Sequence, residues 1–80
     1  MTLYEEKILS EYDEIKKFVK DKSFLIKQED FERLKVTLEV LEKQKFISAC
    51  HAPGWHIYNI NDNFYNFKKN VDFTEIKSKL

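Results

Sequence analysis

The sequence predicts an α+β domain in the order helix–(short strand)–helix–β-hairpin–helix, and three observations carry that expectation. Two segments repeat apolar residues at helical spacing. Tyr4, Ile8, Tyr12, Ile15, Phe18 and Val19 share one stripe of the first, and Phe31, Leu34, Leu38 and Leu41 share one stripe of the second. Ala52-Pro53-Gly54 separates two extended runs, Phe46–His51 and Trp55–Ile60, the second rich in Trp, Ile and Tyr. Finally, 80 residues with one Gly and one Pro make a single domain with little irregular loop.

Each element has its own signals. Thr2 and Glu5 match a capping box, in which a hydroxyl and a carboxylate satisfy free amides at the start of the first helix. Leu9 falls off the apolar stripe of that helix. The helix is expected to end near Lys20–Lys22, where cations suit the negative end of the dipole. Ser23-Phe24-Leu25-Ile26 is too short for a helix and reads as a strand or a packed extended connector. The second helix starts at about Gln28. Lys27 is a poor cap, but Glu29, Asp30 and Glu32 suit the positive dipole end.

Val36 and Val40 form a second apolar strip on that helix, roughly opposite Phe31 at about 100° per residue. After the hairpin, Asn61 or Asp62 is expected to cap a last helix with Phe64, Phe67 and Val71 facing inward. Asp72 can cap a further turn containing Ile76 and Leu80, but the apolar phase slips after Val71 and a kink or fraying is expected there. The expected core is Ile8, Ile15, Phe18, Leu34, Leu38, Leu41, Ile57 and Phe67.

Composition narrows the function classes. The chain is 15% aromatic, which helps a short sequence bury a dense core. Its 14 basic and 14 acidic residues cancel, so it lacks the excess cation that drives binding to nucleic acid. All but Arg33 of the basic residues are Lys, and Arg is the residue suited to bidentate base and phosphate recognition. A single Cys excludes an intrachain disulfide and fits a reducing compartment. No apolar run approaches the roughly 20 residues of a membrane span, and the opening MTLYEEKILS has no signal-peptide core. The expected location is the cytoplasm.

Cys50, His51 and His56 cluster around the turn and raise the possibility of zinc, with Asp62 as a fourth ligand. Structural zinc wants four ligands, whereas neighbouring strand residues alternate faces, so Cys50 and His51 cannot both point inward. The same residues read as a small buried Cys and two surface or half-buried His, and no metal or cofactor is expected. A catalytic Cys50 would need a base such as His56 and an oxyanion hole, for which the chain has little material. No P-loop, GxGxxG, HExxH or GxSxG pattern occurs. The expectation is a protein that is not an enzyme and takes no small-molecule substrate.

Charge is unevenly distributed. Residues 1–14 carry five acids against Lys7, a balance of −4, and residues 15–27 carry five lysines against Asp21, a balance of +4. Dipole complementation and a solvated face account for this. The sharper reading is a lysine patch of Lys16, Lys17, Lys20 and Lys22, joined by Lys68 and Lys69, that touches phosphates without reading sequence.

Phe31-x-x-Leu34-x-x-x-Leu38-x-x-Leu41-x-x-x-x-Phe46-Ile47, followed by a hairpin returning through Trp55-His56-Ile57-Tyr58, resembles the second half of a winged-helix domain. The resemblance implies a recognition helix at Phe31–Leu41, a wing tip at Ala52–Gly54, and the family's first small strand at Ser23–Ile26. Only residues 21–27 are available for the helix and turn that the family places before its recognition helix. Gln28, Glu29, Asp30 and Glu32 would also oppose phosphate where base edges should be approached.

Two functions follow. One is a small non-enzymatic protein–protein interaction module, self-associating or docking on a protein partner through Val36, Val40 and off-stripe Leu9. A regulatory or inhibitory protein of a phage or mobile element is one form of it, suggested by small size alone. The other is a winged-helix-like nucleic-acid binder using Lys16, Lys17, Lys20, Lys22 and the hairpin tip.

Overall fold

The structure, a computed structural model, describes residues 3–74, and the side chains of His51 and Ala52 lie outside that description. The elements are α1 (Leu3–Phe18), β1 (Ser23–Ile26), α2 (Gln28–Lys43), β2 (Ile47–Ala52), β3 (Trp55–Ile60), a short 3₁₀ turn (Phe64–Asn66) and α3 (Phe67–Asn70). The three strands form one antiparallel sheet in the order β1-β3-β2. This is the predicted α+β order, with residues 23–26 a true strand rather than a connector. Among the described residues no helix is long and apolar enough to cross a membrane.

The helices pack on one face of the sheet. Ile8, Tyr12 and Ile15 from α1, Leu34, Leu38 and Leu41 from α2, and Phe64 and Phe67 from the last segment are all buried. From the sheet, Phe24 and Tyr58 stack with ring centroids 5.2 Å apart. Ile26 and Ile47 are buried beside them. The pairings across the helices show that α1 and α2 run antiparallel: Glu14 meets Arg33, and the buried Thr37 hydroxyl donates to Glu11 at 2.6 Å.

Two core expectations are corrected. Ile57 is half-buried and lies on the other face of the sheet, because strand side chains alternate and Tyr58 takes the inward position. Phe18 is only partly buried, packed against the edge of the core.

The end of α1 differs from expectation for a reason in the backbone, whereas α2 starts where expected. α1 stops at Phe18, since Lys20 and Ser23 exchange backbone hydrogen bonds of 2.8 and 3.1 Å around Asp21, whose φ is +60°. The capping residue Thr2 lies outside the described residues. α2 starts at Gln28, and its cap Lys27 makes no side-chain cap bond. At its other end, the Phe46 amide donates to the Leu41 carbonyl at 2.8 Å and the Lys45 amide to that of Glu42 at 3.1 Å. This is a Schellman motif whose left-handed residue is Lys45, at φ +66°, where Gly is favoured. Lys45→Gly should therefore stabilise the domain by about 0.5–1 kcal/mol, read as a raised urea midpoint.

In the hairpin turn Pro53 leads into Gly54 at φ +79°, the arrangement of a type II turn. Asn61 does not cap the last helix with its side chain. Its Nδ2 donates to the Lys45 carbonyl at 2.7 Å instead, tying the hairpin exit to the end of α2. The break after α3 is as expected: Val71 is extended at ψ 136°, and Asp72 Oδ1 then accepts from the Thr74 amide at 3.0 Å. Ile76 and Leu80 lie outside the described residues.

Tyr12 anchors the last segment to α1. Its ring centroid lies 4.5 Å from that of Phe67, and its hydroxyl donates to the Phe64 carbonyl at 2.8 Å. Burial first, then Asp13 and Tyr65, push the Tyr12 phenol up to about 12. Burial also raises Tyr58 and Tyr4, with acidic neighbours adding to the effect. The unfolded chain ionises first, near pH 10, so this stability is whole below pH 10 and is lost as the pH climbs towards 12. Melting temperatures measured from pH 8 to 12 should fall across that window. Tyr12→Phe should flatten the fall and cost about 1–3 kcal/mol at neutral pH, by leaving the Phe64 carbonyl without its donor.

Candidate interaction surface

The face of the sheet turned away from the helices is built by strand alternation. The register sets Leu25 beside Ile57 and Ile57 beside Cys50, so one row crosses all three strands. The next row is Ser23, Asn59 and Ser48, and Trp55 stands on the same face of β3. Leu25 and Trp55 are 49% and 48% exposed, which is unusual for side chains of their size and marks this face as uncovered by the described helices. A groove of about 460 Å³, lined by Phe18, Lys20, Ser23, Phe24, Leu25 and Ile57, runs along its β1 side. A second, of about 440 Å³, lies at the hairpin end and includes Trp55, His56, Phe31 and Gln28.

Cys50 and His56 are held apart by the same alternation. Cys50 lies on the outer face, where Asn59 Nδ2 donates to its Sγ at 3.0 Å. His56 lies on the inner face, its ring stacked on Phe31 at 3.7 Å between centroids and its Nε2 2.6 Å from Gln28 Oε1. The structure thus assembles no Cys50–His56 nucleophile and base. Among the described residues no group of three or more His, Cys, Asp and Glu side chains is placed to hold a metal ion.

The Val36/Val40/Leu9 strip is not a continuous surface. Arg33, Thr37 and Val40 lie on one line of α2, three or four residues apart, and α1 covers that line through Glu14 and Glu11. Val40 is accordingly buried in the core, at 8% exposure. Leu9 is partly buried against the core. Val36 alone stands out, 48% exposed, with the exposed Glu32, Arg33 and Glu39 within one turn.

All four lysines of the predicted patch are exposed. Asp13 draws two cations together: Lys16 at 3.5 Å and Lys68 at 3.0 Å. The Lys68 hydrogen bond is the main reason the Asp13 carboxyl sits below its usual range. Lys16 also lies 5.1 Å from the centre of the Tyr12 ring. Part of the patch is therefore neutralised within the fold, while Lys20 and Lys22 flank β1.

Sequence reasoning missed the outer row of Leu25, Ile57 and Trp55. Its signal was Phe24-Leu25-Ile26, three consecutive apolar residues in a strand, of which the middle one must face away from the other two. The chain matches no protein-family model, no curated protein and no solved structure.

Proposed function

We propose that this chain is a small non-enzymatic protein–protein interaction module of the cytoplasm, which docks a protein partner on the outer face of its sheet. The observation that carries the reading is the open apolar row of Leu25 and Ile57 with Trp55 beside it. Burying these side chains on association would contribute roughly 25 cal/mol per Å² of apolar area before the costs of ordering, and an exposed Trp is the residue type most enriched among interface hot spots.

Leu25→Lys combined with Trp55→Lys tests this. Partner capture should be lost, with the melting temperature of the monomer unchanged to within the small cost of surface substitutions. Partner capture that survives the double substitution would contradict it.

A winged-helix-like nucleic-acid binder is the alternative. It is supported by β1 pairing with β3 where the resemblance sets the family's first strand. Against it stand the single helix between β1 and β2 and the exposed Glu29 and Glu32 at the start of that helix. Duplex DNA titrated at low salt separates the two, since phosphate binding through Lys16, Lys17, Lys20 and Lys22 would weaken steeply as salt rises.

A further inference from the structure

The sheet has two edge strands, and they differ. β1 is four residues long and is flanked by Lys20, Lys22 and Lys27, the charged guarding by which proteins blunt exposed edges. β2 is six residues long, Ile-Ser-Ala-Cys-His-Ala, with no Lys, Arg, Asp or Glu and no Pro. On one side it pairs with β3 throughout its length. Among the described residues no backbone hydrogen bond leaves its other side. An unguarded edge of this kind is a template for a further strand.

We infer that the occupant of the β2 edge is β2 of a second copy of this chain, paired antiparallel about a two-fold axis normal to the sheet. The inference deepens the interaction-module reading and rests on it. Charge distribution selects a second copy. Across such an axis the strand meets itself apart from one end residue, which meets the uncharged Phe46 or Pro53, so no like charges oppose one another. Lys45, just before β2, would fall opposite Pro53 or Trp55, both uncharged, rather than opposite its mate. The same operation on β1 would bring its flanking lysines towards one another.

The axis keeps Ser48 and Cys50 on the outer side in both copies and so centres the pairing on Ala49 or Cys50, both small. The product is one six-stranded sheet. It joins the two outer faces, with both Leu25–Ile57–Cys50 rows, into a single surface for the partner. One strand edge is a small interface, so the dimer is expected to form only as concentration rises.

Sedimentation equilibrium over a concentration series tests this. The mass of the wild-type chain should rise from 9.7 kDa towards twice that value. Ala49→Lys puts a guarding charge on the exposed edge and should hold the mass at 9.7 kDa with an unchanged circular dichroism spectrum. Ser48→Lys, also exposed, gives the same reading if Ala49→Lys does not fold. Leu25→Lys, two strands from the edge, should dimerise as the wild type does. A wild-type chain that stays monomeric up to about 1 mM overturns the inference, and so does an edge-lysine variant that dimerises normally. If Leu25→Lys abolishes association and Ala49→Lys does not, the edge inference falls while the interaction-module reading stands.

Discussion

Val40→Lys should unfold the domain, and Val36→Lys should leave its melting temperature nearly unchanged. The two valines are one helical turn apart and differ only in what lies over them. Val40 is on the line of α2 covered by α1, at 8% exposure. A lysine there must bury its ammonium unpaired or push α1 aside, at a cost of at least about 3 kcal/mol. A domain of this size has only about 5 kcal/mol in total to lose. Val36 is 48% exposed, and a lysine there stands four residues after Glu32, the favourable order for an ion pair along a helix. Its effect should stay within about 0.5 kcal/mol. Far-UV circular dichroism at 25 °C separates the outcomes. A folded Val40→Lys would mean that α1 does not pack over that side of α2.

Phe67→Ala should cost about 3–5 kcal/mol and leave the domain largely unfolded at 37 °C. Phe67 is fully buried. Its ring lies 4.5 Å from Tyr12 and meets Phe46 edge-on at 5.1 Å, so one side chain joins α1, the end of α2 and the last segment. α3 is four residues long and cannot hold its place by helical hydrogen bonding alone. Phe67→Leu, which refills most of the volume, should recover much of the loss. Urea denaturation of the three proteins gives the comparison. Equal midpoints for Phe67→Ala and wild type would show that the last segment is not part of the cooperative core.

The fold was largely legible because its helices and hairpin follow local rules. The stripe from Ile8 to Ile15 and that from Leu34 to Leu41 have helical period, and Pro53-Gly54 can do little but turn the chain. The helix ends were harder to read, because among the described residues the left-handed positions other than Gly54 fall on Asp21 and Lys45, which carry no such signal in sequence. Asn61 reads as a cap by residue type, yet a long-range contact with Lys45 claims its side chain. Val36 and Val40 could not be told apart for a related reason. Whether Val40 is interface or core depends on where α1 lies, which α2 alone does not encode. The row of Leu25 and Ile57 required knowing that β1 pairs with β3, a contact across more than thirty positions of chain.

Trp55 is the chain's single tryptophan and stands on the proposed surface, so its fluorescence reports directly on whether that surface is open. Acrylamide quenching should be measured on the dilute chain and again with a captured protein partner. The account predicts red-shifted, readily quenched emission from the chain alone, and a blue shift with reduced quenching when a partner covers the outer face. Emission that is already blue-shifted and shielded in the dilute monomer would show that the outer face of the sheet is covered within the chain itself, and would contradict the account.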